Sequence, residues 1–132
     1  MIKVDRQIPV WVMENIGHAT EAMLGIAEER DGEFIAGAAF ENWNANCIWG
    51  HLRIDKSPGK QFWIALADYI YNVCGCKRFS ATVESTNKEA IRLNLHIGFE
   101  IEATLKDAGK NGDVLIMTLW RDKCRFLNWA KK

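Results

Sequence analysis

The chain has 132 residues, of which 48% are hydrophobic, and its 17 lysines and arginines balance its 17 aspartates and glutamates. This length and composition predict that residues 1–132 form a single compact domain with a buried core. The absence of net charge argues against nonspecific nucleic-acid binding, which needs a basic surface. No apolar run reaches the roughly 18 residues of a membrane-spanning helix, so we expect neither nucleic acid nor a membrane among the partners.

The N-terminal residues and the cysteines indicate the compartment. The N-terminus lacks the charged-then-apolar order of a secretory signal, which predicts a cytoplasmic protein. In that compartment the four cysteines are expected to be reduced thiols. None of them has a histidine at the ligand spacing of a zinc site, so no metal is predicted.

The first half of the sequence predicts a short helix followed by an antiparallel meander. The helix should cover residues 9–16, because proline suits a first helical position. Asp31-Gly32 is a strong two-residue turn signal between two apolar runs. The expected strands are 22–29, 33–41 and 47–54, and the segment 2–7 is an optional further strand.

The second half predicts helices that alternate with strands. Residues 60–75 carry a wide apolar face, typical of a helix covered on more than one side. A strand over 77–84 leads to a second helix, with Ser85 or Thr86 as its N-cap and Gly98 as its stop. A closing hairpin and a short terminal helix follow. Strands on both sides of the first long helix require a crossover, which predicts an α/β or α+β domain with a mixed sheet.

The stretch "DKSPGKQ" at residues 55–61 is a candidate anion site. It joins a strand to a helix through Gly59, and the free N–H groups at the start of a helix, with its macrodipole, favour an anion. Lys56 and Lys60 add positive charge. A plain connection between strand and helix is the alternative interpretation.

The stretch "NKEAIRLNLHIGFE" at residues 87–100 is the most specific motif. It resembles the second sequence block of the GNAT superfamily of acetyl-CoA-dependent N-acetyltransferases, in which Asn and Ala open a helix that ends in Leu-Gly-Phe and is followed by Glu. The downstream "EATLKDAGKNGDVLIMTL" resembles the ribosomal-protein-type branch, and "RDKCRFL" looks like tails of phage-encoded members. The element order also matches over nearly the whole chain. The fold so implied is a GNAT-like mixed, mostly antiparallel twisted sheet of six to seven strands flanked by helices.

The resemblance implies acetyl-CoA as the cofactor and makes the loop at Gly59 its pyrophosphate arm. The family pattern places Gln or Arg where Lys56 stands and a small residue where Gln61 stands. Of the three positions of the pattern, only Gly59 therefore carries the expected residue. Gln61 at a position of close backbone approach puts tight cofactor binding in doubt. The implied cofactor-binding residues are Leu52, Arg53, Ile54, Lys56, Gly59, Lys60, Gln61, Phe62, Trp63, Asn87, Arg92 and Asn94.

The implied reaction moves an acetyl group to a primary amine by direct attack in a ternary complex. A backbone N–H of Leu52 or Arg53 would polarise the thioester carbonyl. His51 is the first candidate for the base, because imidazole titrates near neutral pH, and Glu41 is the second. Asn94 stands where many members have a tyrosine acid, and an amide cannot supply that proton.

Two other functions remain open at this stage. The single standard position of the pyrophosphate arm favours a catalytically inactive GNAT-fold module that binds coenzyme A or a protein. The six tryptophans would fit an unrelated α+β interaction domain, with Trp43, Trp49, Trp120 and Trp129 in a binding patch. The acceptor, whether a small molecule, a peptide N-terminus or a lysine, is not readable from the sequence. A short N-terminal region leaves room for a homodimer.

Overall fold

The structure is a computed structural model, and it describes residues 1–15, 19–20 and 22–131. Within these residues the chain forms one seven-stranded sheet with helices on its two faces. The strands are β1 (Ile2–Val4), β2 (Leu24–Arg30), β3 (Glu33–Glu41), β4 (Cys47–Ile54), β5 (Arg78–Glu84), β6 (Glu100–Leu105) and β7 (Val114–Trp120). The α-helices are α1 (Gln7–Met13), α2 (Lys60–Ala67) and α3 (Lys88–Ile97).

The sheet has the order β1-β2-β3-β4-β5-β7-β6. Only β4 and β5 pair in parallel, and every other neighbouring pair is antiparallel. The predicted mixed, mostly antiparallel sheet of six to seven strands is therefore confirmed. The hairpin between β2 and β3 turns at Asp31 and Gly32, whose φ angles of 54° and 82° are those of the two-residue turn that an Asp-Gly pair favours.

The predicted starts of two helices were wrong. Helix α1 begins at Gln7 and not at Pro9, because the Asp5 carboxylate accepts the Gln7 N–H at 2.7 Å; its predicted end at Ile16 lies outside the described residues. The N-cap of α3 is Asn87, whose side chain accepts the Ala90 N–H at 3.2 Å, and not Ser85 or Thr86.

The helix predicted over residues 60–75 changes its winding in the middle. It is α-helical through Ala67 and continues as a π-helix over Asp68–Val73. The wider turns bury the Tyr71 side chain, whose hydroxyl donates to the Leu119 backbone oxygen at 2.5 Å. This hydrogen bond fixes the end of the helix to β7.

The two faces of the sheet carry different helices. Ile8 and Val12 of α1 pack with Ala39 in a small cluster on one face. The opposite face carries the main core, in which Leu66 of α2 and Ile97 of α3 are both buried. Side chains alternate along each strand, so this division assigns every residue of β4 to one helical layer or the other.

The C-terminal residues fasten α2 to α3. Phe126, in a 3₁₀ helix over Arg125–Lys131, stacks on Trp63 with ring centroids 4.8 Å apart and an interplanar angle of 16°. Arg125 donates to the backbone oxygens of Ile97 at 2.9 Å and His96 at 3.1 Å. A cation at the carbonyl end of a helix also complements its macrodipole. No helix in the described ranges is long and apolar enough to cross a membrane.

Strands β4 and β5 separate soon after they meet. Their ladder covers only three positions, Cys47 to Trp49 against Arg78 to Ser80. We call the gap that follows, between residues 50–54 of β4 and 81–84 of β5, the wedge. At its apex the Phe79 ring lies directly over Gly50, where a Cβ would stand 2.6 Å from both the Phe79 ring and the Ala39 backbone oxygen. Only glycine fits beneath that ring.

We expect Gly50→Ala to lower the free energy of unfolding by about 1–3 kcal/mol, the usual cost of an extra carbon in a packed core. Urea unfolding measures the change. The double variant Gly50→Ala/Phe79→Leu should recover part of the loss, because the smaller side chain vacates the space above residue 50. A Gly50→Ala protein within about 0.5 kcal/mol of wild type would contradict this account of the apex.

Candidate functional site

The wedge contains a small cavity at its inner end. Its volume is about 90 Å³, and it lies between β4, β5 and α3. Most of its lining is apolar, and the polar residues among those that line it are His51, Asn87 and Asn94. An apolar wall that carries a small number of polar groups is typical of a ligand site.

The register of the sheet decides which backbone groups face the wedge. The Asp55 N–H donates to the Ile35 oxygen of the neighbouring segment at 2.8 Å, and the β3–β4 register pairs Arg53 with Gly37 and His51 with Ala39. In an antiparallel ladder the hydrogen-bonded residues alternate, so the odd-numbered residues of β4 turn their N–H and C=O groups toward β3. Even-numbered residues turn theirs the other way.

The Leu52 and Ile54 backbone groups therefore point into the wedge, where the β4–β5 ladder has ended. The sequence left open whether Leu52 or Arg53 faces a ligand with its N–H, and the register favours Leu52. Two diverging strands present unpaired donors and acceptors to the gap, as an open sheet edge does. Such edges pair with an extended chain that carries amide groups.

The Arg53 side chain is engaged on the opposite face. It binds Asp55 through two nitrogen–oxygen contacts of 3.0 Å and donates to the Trp11 backbone oxygen at 2.8 Å. Its guanidinium also lies 4.1 Å from the Trp11 ring centroid, a favourable cation–π distance. Arg53 thus ties α1 to β4, and the predicted ligand contact would not come from its side chain.

The anion loop has fewer available donors than the sequence suggested. The Asp55 and Lys56 N–H groups both donate to the Ile35 oxygen, at 2.8 and 3.1 Å, and Pro58 has no N–H. The Gly59 N–H donates to the Glu28 carboxylate at 2.7 Å. This leaves the N–H groups of Ser57, Lys60 and Gln61 for a ligand, since no hydrogen bond to a described residue occupies them.

Phe62 and Trp63 face the core and not the loop. The Phe62 N–H returns to the Gly59 oxygen at 3.2 Å, and its side chain is fully buried. Trp63 is held against Phe126 by the ring stack, and its N–H falls within the regular ladder of α2. Lys56, Lys60 and Gln61 are exposed around the loop.

Glu28, on β2, was not singled out by the sequence analysis. Its side chain is 9% exposed, and its carboxylate accepts the Gly59 N–H and pairs with the Arg30 guanidinium. Burial raises the pKa of this carboxyl, but the Gly59 N–H and Arg30 outweigh that effect and leave the pKa below its usual range. One signal was present: Glu28 continues the alternating stripe of Ile26, a buried face on which a charge needs a partner.

His51 and Glu41 form a pair on the α1 face of the sheet. The His51 Nε2 lies 3.6 Å from the Glu41 carboxylate oxygen, and both side chains are about three-quarters buried. Burial lowers the pKa of His51 below its usual range, and the nearby Glu41 carboxylate offsets only part of that effect. His51 is therefore a neutral imidazole at neutral pH, beside the cavity that Leu52 lines.

Three predicted residues lie on or before α3. The Asn87 oxygen caps the helix, which leaves its amide nitrogen beside the cavity. Asn94 is 6% exposed, and its amide nitrogen lies 3.8 Å from the Met117 sulfur, a weak acceptor. Arg92 is exposed on the helix surface. The structure thus brings Asn87 and Asn94 to the wedge, on the side opposite Leu52.

No protein-family model matches the chain, and no curated protein matches it by sequence. Solved structures do match. The acetyltransferase yncA from Salmonella typhimurium, solved with its cofactor acetyl-CoA, is 23% identical with a TM-score of 0.62, over 76% of this chain and 65% of that one. Spermidine/spermine N-acetyltransferase SpeG from Vibrio cholerae, solved with manganese ions, is 15% identical with a TM-score of 0.70, over 98% and 96% of the two chains.

The chain has the GNAT fold. A further SpeG structure, solved with CoA and spermine, is 19% identical with a TM-score of 0.64, over 82% of this chain and 70% of SpeG. The GNAT resemblance that the sequence carried is thus confirmed at the level of the fold. The chain spans just under two thirds of yncA, at 65%. The activity of this chain is therefore proposed below.

We expect the Glu28 carboxylate to stabilise the fold at neutral pH and to lose that effect in acid. Its pKa is lower in the folded chain than the ordinary 4.5, so the stabilisation is present above pH 4.5 and disappears as the pH falls through the folded value. Urea unfolding should therefore show Glu28→Gln about 1 kcal/mol less stable than wild type at pH 7, with the difference shrinking toward pH 3. A difference that is constant with pH would contradict the carboxylate's role.

Proposed function

We propose that this protein is an acetyl-CoA-dependent N-acetyltransferase that moves an acetyl group to a primary amine by direct attack in a ternary complex. The observation that carries the proposal is the position of the Leu52 N–H. It points into the gap between the separated strands, and the neutral imidazole of the preceding residue, His51, lies on the α1 face of the same strand. A donor for a developing oxyanion and a base for an ammonium proton are the two groups that acyl transfer to an amine needs.

The residues of the wedge fit the cofactor chemically. The unpaired edges of β4 and β5 offer N–H and C=O groups, which suit the two amides of the pantetheine arm of coenzyme A. The three remaining loop donors at Ser57, Lys60 and Gln61, with Lys56 nearby, suit its pyrophosphate. When bound, acetyl-CoA supplies the activated acetyl group as a thioester.

The Leu52 N–H would stabilise the charge that develops on the carbonyl oxygen. A fixed backbone donor needs no reorganisation when that charge appears, and the apolar walls of the cavity strengthen the interaction. The next N–H of β4 that points into the wedge belongs to Ile54, farther from the cavity. The corresponding N–H of Arg53 points toward β3 and is not available to the cofactor.

His51 would accept the proton of the amine. Its pKa is depressed by burial, so it is unprotonated at neutral pH. The Glu41 carboxylate, 3.6 Å from Nε2, would stabilise the imidazolium that forms and orient the ring. Glu41 is thus a partner of His51 in this proposal, and it remains the second candidate for the base itself.

Asn94 would face the leaving thiol. Its amide can donate a hydrogen bond to sulfur but cannot give up a proton at useful cost. The Asn94 amide would therefore stabilise a departing thiolate by a hydrogen bond, and water would supply any proton that the sulfur takes up. This distinguishes the present site from one that relies on a tyrosine acid.

The acceptor would approach from the α1 face, where His51 and Glu41 lie. Glu14 also carries an exposed carboxylate on that side, 3.7 Å from Arg53, and carboxylates attract an ammonium group. Spermine is bound by the neighbour SpeG; for this chain we propose an amine acceptor without choosing among small molecule, peptide N-terminus and lysine. We further propose that the reaction takes place in the cytoplasm.

Titration of acetyl-CoA by calorimetry, followed by an assay of free-thiol release with a panel of amines, tests the function. We expect saturable binding and amine-dependent thiol release. Binding without release for any amine would favour the alternative, a coenzyme-A-binding module without catalysis. Absence of binding at millimolar acetyl-CoA would exclude both functions.

His51→Ala should lower kcat about 10²–10⁴-fold, the usual contribution of a general base. In the wild-type pH profile, activity should rise through a pKa below 6.5, the ordinary value for histidine. Glu41→Gln should shift that rise to lower pH, since Glu41 raises the pKa of His51. An unchanged pH profile in both variants would remove His51 from the mechanism.

Asn94→Leu, which keeps the number and branching of the side-chain heavy atoms and removes the donor, should lower kcat about tenfold, equivalent to one hydrogen bond of about 1.4 kcal/mol. Wild type should show no loss of kcat at alkaline pH from deprotonation of an acid. His96→Ala, an exposed change on the same helix, is the matched control and should leave kcat unchanged. Equal rates for Asn94→Leu and wild type would show that Asn94 does not act on the leaving group.

A further inference from the structure

We propose that Glu28 is a positioning residue for the cofactor loop, holding the Gly59 backbone so that the neighbouring N–H groups stay directed at a phosphate. The inference rests on the proposed function, because it assigns the loop to the pyrophosphate of coenzyme A. It concerns a residue on β2, two strands away from the wedge in the sheet.

The contact between Glu28 and Gly59 is a short hydrogen bond to a buried carboxylate, unlike an exposed surface contact. The Glu28 oxygen accepts the Gly59 N–H at 2.7 Å, and the Glu28 side chain is only 9% exposed. Charged acceptors make the stronger class of hydrogen bond. Arg30, two residues along the same strand, pairs with the second carboxylate oxygen.

A phosphate cannot easily take the place of this carboxylate. Displacement would leave the charged Glu28 buried with one fewer hydrogen bond, which is unfavourable because a buried charge depends on its partners. A bound anion would therefore use the donors that Glu28 leaves open. These belong to Ser57, on one side of Gly59, and to Lys60 and Gln61 on the other.

The position of Glu28 makes it a support from within the fold. Its register partner on β3 is Ala36, which in turn pairs with Ile54 of β4. Ala36 and Phe62 of α2 belong to one buried cluster, against which the partly buried Ile54 packs. Glu28 therefore lies on the sheet beneath the start of α2, where it fixes the loop from the core side and leaves the solvent side to the ligand.

Charge balance allows an anionic ligand to bind beside a carboxylate. Arg30 neutralises Glu28 within the pair, and Lys56 and Lys60 flank the loop with two further positive charges. The loop keeps a positive surplus, which is the condition for pyrophosphate binding at a helix N-terminus. With only Gly59 of the usual small residues present, the side-chain anchor supplies a constraint that the loop sequence lacks.

The test measures coenzyme A affinity by calorimetry in Glu28→Ala, Glu28→Gln and Glu28→Asp. Glu28→Ala should bind coenzyme A about tenfold more weakly, because Gly59 loses its acceptor. Glu28→Gln, whose amide oxygen still accepts the Gly59 N–H, should stay within about threefold of wild type. Glu33→Gln, an exposed change in the same hairpin, is the control and should bind as wild type does.

Amide hydrogen exchange gives a readout that needs no cofactor. In Glu28→Ala the Gly59 N–H should exchange faster, while core amides of β3 keep their protection. If Glu28→Ala does not fold, Glu28→Asp replaces it, since a side chain one carbon shorter retains the charge and withdraws the oxygen from Gly59. The expected loss in coenzyme A affinity is then the same in direction.

Three results would overturn the proposal. Unchanged coenzyme A affinity in both Glu28→Ala and Glu28→Asp would show that the anchor has no role in binding. Tighter binding by Glu28→Gln than by wild type would show that the carboxylate competes with the phosphate. The third result is that wild type binds no coenzyme A although Gly59 exchanges faster in Glu28→Ala. Glu28 would then act only as a helix cap, and this result alone would also overturn the proposed function.

Discussion

The early end of the β4–β5 ladder is the constraint on which the rest of the structure depends. Parallel neighbours can pair along their whole length, yet these two part after three positions, next to the point where the Phe79 ring lies over Gly50. Everything of chemical interest follows from that parting. It frees the Leu52 backbone, creates the cavity and brings α3 to the opposite side with Asn87 and Asn94. A longer ladder would satisfy the same backbone groups internally and leave no site.

The helices on the two faces of the sheet are fixed beside the wedge by different contacts. Helix α1 is held to β4 by Arg53, which contacts the Trp11 backbone and ring. Helix α2 starts over Glu28 and ends in the π-helical segment fixed by the Tyr71 hydroxyl. Because each helix is attached at a defined residue, the walls of the wedge are set by specific polar contacts as well as by general packing. Such contacts are more sensitive to single substitutions than a purely apolar interface is.

Much of the architecture could be predicted from the sequence. Asp31-Gly32 fixed the first hairpin, and the block at residues 87–100 indicated both α3 and the fold. The ends of the elements were harder to predict, because capping depends on which side chain reaches the helix. Asp5 moved the start of α1 forward, and Asn87 capped α3 in place of Ser85 or Thr86. The π-helical winding of Asp68–Val73 also has no local sequence signal, since it arises from the packing of Tyr71.

The site was predictable in its residue types but not in its orientation. The choice between the Leu52 and Arg53 N–H groups depended on the register with β3, which no single strand encodes. The contact between Glu28 and Gly59 joins residues 31 positions apart, and long-range pairs of this kind leave no periodic pattern. The composition of the loop therefore suggested more free donors than its three-dimensional surroundings permit.

The terminal 3₁₀ helix has a mechanical consequence. Phe126 stacks on α2 while Arg125 holds the carbonyl end of α3, so one short segment bridges the two helices that stand on either side of the wedge. Opening the wedge by spreading these helices would strain both contacts at once. Thermal fluctuations of the gap should accordingly be damped from a point far outside it, and the C-terminal segment acts as a brace that sets the width available to a ligand.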